Sequence, residues 1–121
     1  MATNFNSKNK QFGQLGEAIA KEHLQKLGYK ILDANFRYRR GEVDLICQDG
    51  TFMVFVEVKT RYNAAYGYPE QALGRKQFRQ IQAVAAHYLQ VKRWKGPIRF
   101  DVVAVLFYPR QEIRVFKDFF L

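Results

Sequence analysis

Two carboxylates and one lysine fall at strand spacing in the middle of the chain: Asp44, Glu57 and Lys59. Two carboxylates that lie close together repel each other unless a cation or a proton neutralises them. Oxygen ligands with open coordination positions suit Mg²⁺ or Mn²⁺. An ammonium group beside such a metal can orient a water and stabilise the negative charge that builds on a phosphate in the transition state. The three side chains therefore fit metal-dependent hydrolysis of a phosphodiester.

A β-hairpin is predicted around these residues, because two segments of β-forming residues flank a short turn. The strands cover residues 42–48 and 51–60. The Asp49-Gly50 dipeptide between them suits the positive φ angles of a two-residue turn. One face of the hairpin is apolar, and we expect it to face a core and to fix the register. Its members are Val43, Leu45, Cys47, Phe52, Val54, Val56 and Val58.

The other face of the hairpin carries the charged residues. With a two-residue turn, Asp44 lies opposite Phe55, and Glu57 becomes the diagonal neighbour of Asp44 at roughly 7–8 Å between α-carbons. Lys59 points to the same side because side chains alternate along a strand. Two carboxylates at that separation can share one cation. The alternative is a salt-bridged strand surface, which is common in proteins and contributes little stability.

The remaining segments predict one α/β domain in which helices pack on a mixed sheet. Apolar residues at helical spacing predict helices at residues 12–27 and 75–89. Further strands are predicted at residues 29–37, 98–107 and 112–116. The order is αβββαββ, and the long connection through the second helix permits a crossover to a parallel strand. We expect residues 1–11 to form a flexible basic arm and residues 12–121 to form the domain.

The net charge and the cysteine content limit the kinds of binding partner and the cellular compartment that we expect. The 121 residues include 20 Lys and Arg against 11 Asp and Glu, and the formal charge of +9 favours a polyanion such as nucleic acid. A soluble basic protein near ribosomes is the alternative on charge alone. A single cysteine excludes an internal disulfide, so a reducing cytoplasm is expected. Residues 1–10 are polar and lack an apolar signal core, and no apolar run approaches the ~20 residues that a membrane span needs, so we expect a soluble protein that is not exported.

Basic residues bracket the charged hairpin along the sequence and are candidates for phosphate binding. They are Arg37, Arg39, Arg40, Arg61, Arg75, Lys76 and Arg79. Arginine binds phosphate without reading sequence, so we expect recognition of the nucleic-acid backbone with little base specificity. A scattered solvated surface is the alternative. Tyr62, Tyr66 and Tyr68 follow the hairpin, where rings can stack on an exposed base, although loop tyrosines more often pack within the protein.

Glu17 adds a further carboxylate on the first predicted helix. It lies at helical spacing from Ala20 and Leu24, at the edge of the apolar stripe. If the helix packs over the charged face of the hairpin, Glu17 becomes a metal ligand. Spacing alone favours an ordinary solvated glutamate.

At these residues the sequence resembles the PD-(D/E)XK nuclease superfamily, whose signature is an acidic residue followed on the next strand by an acid-x-Lys triplet. Asp44 and Glu57-Val58-Lys59 match that signature. More closely, and over nearly the whole chain, the sequence resembles the YraN family of small bacterial proteins. The matching stretches are Gly16-Glu17, Arg40-Gly41-Glu42-Val43-Asp44-Leu45-Ile46, Phe55-Val56-Glu57-Val58-Lys59-Thr60-Arg61 and Arg99-Phe100-Asp101-Val102. The triplet alone is weak, whereas this combination is specific.

The resemblance implies a restriction-endonuclease-like three-layer sandwich and assigns roles to single residues. Glu17, Asp44 and Glu57 match the acidic positions that bind Mg²⁺ or Mn²⁺, Lys59 matches the catalytic lysine, and the backbone carbonyl of Val58 falls where the superfamily often adds a metal ligand. Val43 stands where many relatives have proline. The glutamine or lysine that many relatives place on the second helix is Gln71 or Lys76.

The resemblance implies a nuclease-like site in a fold similar to that of Holliday-junction resolvases. Together with the acidic set, Lys59 and the charge of +9, it favours a metal-dependent endonuclease that acts on structured DNA in repair or recombination. The alternative is a nucleic-acid-binding module that uses the nuclease fold without turnover. An adaptor protein that docks its basic face on an acidic partner would leave the two hairpin carboxylates unexplained. A homodimer, which would place two sites on two strands, and an activating protein partner are both left open.

Overall fold

The computed structural model describes the backbone of residues 2–119 and the side chains of residues 11–119. Over this part of the chain, two helices and five strands follow each other in the predicted order αβββαββ, with a short 3₁₀ helix at Pro69–Ala72. The elements are α1 (Ala2–Lys26), β1 (Lys30–Tyr38), β2 (Gly41–Asp49), β3 (Phe52–Arg61), α2 (Arg75–Lys92), β4 (Ile98–Leu106) and β5 (Glu112–Phe116).

The five strands form one mixed sheet in the sequential order β1-β2-β3-β4-β5. The pairs β1–β2, β2–β3 and β4–β5 are antiparallel, whereas β3 and β4 are parallel. A parallel pair requires a crossover connection, and α2 supplies it. The predicted α/β class with a mixed sheet is confirmed.

The two helices cover opposite faces of this sheet, and each encloses its own core. The core under α1 contains Ala20 and Leu24 together with strand residues Leu45, Cys47, Val54, Val56, Val103 and Val105. The core under α2 contains Ile81, Val84, Ala85 and Tyr88 together with strand residues Val43, Ile46, Met53 and Phe55. Because apolar residues fill both faces, the sheet is the middle layer of a three-layer sandwich.

Val43 packs on a different face from the one predicted. Strict alternation placed it with Leu45 and Cys47, but it joins the core under α2. The pairing of β2 with β3 ends at Leu45, whereas Val43 pairs with Phe36 of β1, which packs against the same core under α2.

The hairpin register differs by two residues from the predicted one. Asp49 pairs with Phe52, so Gly50 and Thr51 form the turn in place of Asp49-Gly50. Gly50 has a φ of 59°, which suits the first position of a primed hairpin turn. A shift of two residues leaves side chains on the same face of a strand but changes their partners. The charged residues therefore keep a common face and gain new neighbours.

The first helix begins ten residues earlier than predicted. Its backbone is helical from Ala2, so the structure has a helix where we expected a loose arm in residues 1–11, and Met1 lies outside the described residues. Apolar periodicity marks only the part of a helix that packs on a core. A helix can continue beyond that part because each added residue gains a hydrogen bond without a new nucleation cost. The division of the chain at residue 11 stays a prediction.

A buried ion network stabilises the hairpin end of the sheet. Arg99 donates to both carboxylate oxygens of Asp101, at 2.8 and 2.9 Å, and to Asp49 at 2.8 Å. The Tyr29 hydroxyl accepts from Arg99 and donates to Asp101 at 3.0 Å. These charges have partners and satisfied hydrogen bonds, so this network is structural.

Neither helix, over residues 2–119, is long and apolar enough to cross a membrane. Cys47 is a free, buried cysteine in the core under α1. The cytoplasmic location expected from the cysteine content stays a prediction.

Candidate active site

Three carboxylates from three elements meet at one cleft between α1 and the sheet. Glu17 of α1, Asp44 of β2 and Glu57 of β3 line this cleft, which has a volume of about 480 Å³ and is called here the carboxylate cleft. Asp44 is 9% exposed, Glu57 is 7% exposed, and Glu17 is half-buried. The Asp44 carboxylate is close enough to raise the pKa of both glutamates. The acidic residues singled out in the sequence are therefore neighbours in the fold.

The new register explains why Asp44 and Glu57 are so close. The last pair of the β2–β3 ladder is Leu45 with Val56, so Asp44 and Glu57 are the next residues on their strands and face each other where the ladder ends. We had predicted a diagonal relation. Residues directly opposite each other on a sheet lie nearer than diagonal ones, at about 4.5–5.5 Å between β-carbons. The repulsion between the two carboxylates is correspondingly stronger.

Asp44 is held by the backbone of the neighbouring strand. The amide of Val58 donates to Oδ2 of Asp44 at 2.7 Å. Since β2 and β3 no longer pair through their backbones beyond Leu45, this side chain accepts the hydrogen bond that a strand carbonyl would otherwise take. The bond fixes the position of the carboxylate at the point where the two strands separate. Val58 lines the carboxylate cleft, and the metal-ligand role of its carbonyl stays a prediction.

Glu17 reaches the cleft because α1 approaches β3 closely. A β-carbon at Gly16 would overlap the hydroxyl of Thr60 on β3, so only glycine permits this distance. Asn35 of β1, which has a φ of 52°, donates from Nδ2 to Oε2 of Glu17 at 3.1 Å. Burial raises the pKa of the Glu17 carboxyl, and the Asp44 carboxylate acts in the same direction. Glu17 is therefore part of the acidic group and is not simply a solvated helix residue.

Glu57 is the most strongly perturbed of the three acids. Burial raises the pKa of its carboxyl to about 10, and the hydrogen bond and charge of Asp44 add to the effect. The Lys59 ammonium lowers this pKa but does not offset the burial. The raised pKa favours the protonated form of Glu57 in the metal-free protein. A divalent cation that replaced this proton would offset the cost of burying the charged carboxylate.

Gln77 connects the lysine to the acids, and sequence reasoning missed it. Lys59 Nζ donates to Oε1 of Gln77 at 3.0 Å, and Nε2 of Gln77 donates to Oε2 of Glu57 at 3.4 Å. We had proposed Gln71 or Lys76 for the downstream position on the second helix. Gln71 instead accepts from the Tyr68 amide at 2.7 Å, and Lys76 is exposed.

The sequence contained a signal that would have identified Gln77. The buried stripe of α2 includes Ile81, Val84 and Tyr88. Gln77 lies four residues before Ile81 and continues this stripe by one turn. A polar residue at the end of an apolar stripe points toward the sheet, where the charged face of the hairpin lies.

The basic residues are distributed unevenly around the site. Arg61 lines the carboxylate cleft, and Arg40 lines a smaller cleft of about 270 Å³ on the α2 side, which Asp44 and Glu57 also border. The structure therefore brings two of the seven predicted phosphate-binding residues to the acids.

The other five predicted phosphate-binding residues lie outside both clefts. Arg37 pairs with Glu42 at 3.6 Å, and the guanidinium of Arg39 lies 5.1 Å from the centre of the Tyr38 ring. The remaining three are exposed at the start of α2: Arg75, Lys76 and Arg79.

The donor set at the cleft fits a hard divalent cation in its chemistry. All of the ligands are oxygens, which Mg²⁺ and Mn²⁺ prefer, and three acids would neutralise the metal charge. Across residues 11–119, however, no three His, Cys, Asp or Glu side chains converge closely enough to form a ready metal site. Each acid instead accepts from a protein donor: Asn35, the Val58 amide or Gln77. Metal binding would exchange some of these bonds for bonds to the cation.

Comparison with known proteins identifies the family. The profile described as "Uncharacterised protein family UPF0102" matches residues 16–105, a range that contains all three acids, Lys59 and Gln77. A UPF0102 protein of Syntrophus aciditrophicus (strain SB) is 43% identical over 116 residues, which cover 94% of this chain and 91% of the relative.

Two further relatives give the same result. A UPF0102 protein of Clostridium kluyveri is 39% identical over 116 residues, covering 93% of this chain and 95% of the relative. A UPF0102 protein of Geotalea daltonii is 46% identical over 99 residues, covering 81% of this chain and 78% of the relative. The chain therefore belongs to the UPF0102 family, which confirms the resemblance to the YraN family that the sequence motifs indicated.

Proposed function

We propose that this protein is a metal-dependent endonuclease that hydrolyses phosphodiester bonds in DNA. The observation that carries the proposal is the group of three acids that line an open cleft, two of them buried, with Lys59 joined to Glu57 through Gln77. Burying carboxylates so close together destabilises a fold unless a cation or protons neutralise them. A protein that needed only a stable sheet would have apolar residues here.

The bonding of Lys59 argues against the alternative of a salt-bridged strand surface. Within the described residues no ion pair joins Lys59 to Asp44 or Glu57, because its ammonium group donates to the neutral amide of Gln77. Both acids are buried, whereas a strand surface of the common kind is solvated. Across residues 11–119, no salt bridge neutralises the three acids, although the Lys59 charge acts on Glu57. This supports an external cation as their partner.

The proposed roles follow from these positions. Glu17, Asp44 and Glu57 would hold Mg²⁺ or Mn²⁺, with the carbonyl of Val58 as a further ligand. The bound metal would polarise a phosphate oxygen and lower the pKa of a bound water. Lys59, oriented by Gln77, would stabilise the negative charge that develops on the phosphate in the transition state. Holding that ammonium in place before the reaction avoids reorganisation during it.

Positive charge supports DNA as the substrate. Arg61 and Arg40 lie at the two clefts that border the acids, where a guanidinium can bind phosphate through two hydrogen bonds. The formal charge of +9 would attract a polyanion from a distance. A role in repair or recombination is the biological context that we expect for this activity.

Cleavage of labelled DNA tests this proposal. We expect wild-type protein to cut at least one of four-way-junction, flap, single-stranded and duplex DNA with Mg²⁺ or Mn²⁺. EDTA and the Glu57→Ala variant should each abolish the reaction. Salt-sensitive binding that survives Glu57→Ala, without cleavage of any substrate, would instead favour a non-catalytic nucleic-acid-binding module.

Replacement of Gln77 by alanine tests how the lysine is positioned. Lys59 and Glu57 remain present in this variant but lose the amide that joins them, so we expect activity to fall about 10–100-fold, as for other residues that orient metal ligands. Gln82→Ala is the matched control, because Gln82 is exposed on the same helix. Steady-state cleavage rates measure the effect. Equal rates for Gln77→Ala and Gln82→Ala would show that the bridge has no functional role.

A further inference from the structure

One wall of the carboxylate cleft is aromatic. Phe12 of α1 and Tyr62 and Tyr66 of the segment after β3 line the cleft together with the acids, and these three residues are called here the aromatic wall. Tyr62 is 53% exposed and Tyr66 is 91% exposed. Large exposed rings grouped in one place mark a binding surface more often than rings exposed singly do. The wall belongs to the same opening as the acids.

Hydrogen bonds fix the backbone of the aromatic wall at Tyr62. The carbonyl of Tyr62 accepts hydrogen bonds from the amides of Phe107 and Tyr108, at 3.2 and 2.7 Å, which tie it to the end of β4. The Tyr62 ring stacks on Tyr108 with 5.6 Å between ring centres and an angle of 12° between the planes. The centre of the Phe12 ring lies 6.0 Å from that of Tyr62, with an angle of 58° between the planes. The rings of Phe12 and Tyr62 are therefore held in place before any ligand binds, whereas the Tyr66 ring is open to solvent.

An apolar cleft adjoins the aromatic wall. Phe12 and Tyr62 also line this second cleft, together with Gln11 and Leu15, and its volume is about 500 Å³. The wall therefore separates an acidic cleft, which suits a cation and a phosphate, from an apolar one, which suits a flat ring. A nucleotide has both parts joined covalently, with the base close to its own phosphate.

The charge at the wall fits a phosphodiester chain. Arg61, which precedes Tyr62, lines the carboxylate cleft, and its Nη1 lies 3.5 Å from the carbonyl of Tyr66. A guanidinium beside exposed rings is the combination that single-stranded nucleic acid selects, because the cation binds the backbone and the rings stack on the bases. An apolar peptide would gain nothing from this guanidinium.

We infer, building on the proposed nuclease function, that the aromatic wall stacks an unpaired base adjacent to the phosphate held at the carboxylate cleft. The faces of a base within a duplex are covered by its neighbours, so only an unpaired or extruded base can stack on the wall. The substrate class is therefore DNA with unpaired nucleotides at the cleavage site, such as a flap. Stacking tolerates every base, so little sequence preference is expected.

The experiment uses flap DNA in two forms, one with thymidines in the flap and one with abasic nucleotides that keep the phosphates. Tyr66→Ala and Tyr62→Ala are compared with wild type in metal-dependent cleavage and in binding by fluorescence anisotropy with EDTA. Tyr68→Ala is the matched control, because Tyr68 packs on Arg114, 4.4 Å from ring centre to guanidinium, and does not line either cleft.

The expected result is a loss of about 5–150-fold for each stacking tyrosine on the thymidine flap and no loss on the abasic flap. Wild type should prefer the thymidine flap to the abasic flap and to continuous duplex by a similar factor. Equal binding of both flaps by wild type, or equal losses on both flaps in the variants, would overturn the inference even if Glu57-dependent cleavage stands. If no DNA is cleaved, the proposed function fails, while the anisotropy series still decides whether bases stack on the wall.

Discussion

Replacement of Lys59 by methionine is expected to lower kcat on a cleavable DNA by about 10²–10³-fold. Methionine keeps an unbranched stem of similar length but lacks the terminal ammonium group, which we place beside the scissile phosphate. The group stabilises charge that develops only in the transition state, so KM should change little. Single-turnover cleavage at saturating metal measures the effect.

A structural role for Lys59 makes a different prediction, and a thermal measurement separates the two. If Lys59 serves catalysis, the melting temperature and its rise on adding metal should remain close to the wild-type values. Lys95→Met is the matched control, because Lys95 is an exposed lysine outside both clefts and its loss should leave kcat unchanged. Full activity of Lys59→Met would remove this residue from the mechanism.

Replacement of Glu57 by glutamine is expected to stabilise the metal-free protein and to abolish its stabilisation by metal. Wild type should gain roughly 2.7 kcal/mol at a Mn²⁺ concentration 100-fold above Kd, which is about 10 °C in melting temperature for a domain of this size. Glutamine lacks the negative charge of the ligand, so Glu57→Gln should gain almost nothing. Thermal unfolding with and without Mn²⁺ measures both effects.

Without metal, the difference in stability between wild type and Glu57→Gln should depend on pH, because the pKa of Glu57 is raised. The pKa of the Glu57 carboxyl is about 10 in the folded protein, against its ordinary value of 4.5 in the unfolded chain. Between these values the folded state binds more protons, so wild-type stability is fully present below the lower value and falls as pH rises. The advantage of Glu57→Gln should therefore be absent near pH 4.5 and grow by up to about 1.4 kcal/mol per pH unit toward pH 9.

Glu22→Gln provides the control for this charge change. Glu22 is on α1, and its exposed side chain pairs with Lys26 at 3.3 Å. Exposed pairs of this kind contribute about 0.5 kcal/mol or less. Glu22→Gln should therefore keep the metal response and show no comparable gain at high pH. A Glu57→Gln protein that is still stabilised by Mn²⁺ would contradict the assignment of Glu57 as a ligand.

Residue types and their local periodicity were enough to predict the elements and the acids of this protein. Apolar spacing located both helices and all five strands, because burial imposes a period of 3.6 or 2 on the chain. Alternation placed Asp44, Glu57 and Lys59 on one face of the hairpin, and that result survived a register error of two residues because side-chain direction repeats every two residues. Element ends were predicted less well, as α1 shows, because a helix can extend past its packed part.

Only the tertiary structure decided which partners each of these residues has. Glu17 and Gln77 come from helices on opposite faces of the sheet, and no local rule relates them to the hairpin acids 27 or 20 residues away in sequence. Their positions depend on the close approach of α1 to β3 at Gly16 and on that of α2 to β2 at Gly41, which lies against Gln80 and Val84. The sequence by itself determined which groups were available for chemistry, whereas long-range packing determined their distances, because side-chain contacts between layers are set by the fit of whole elements.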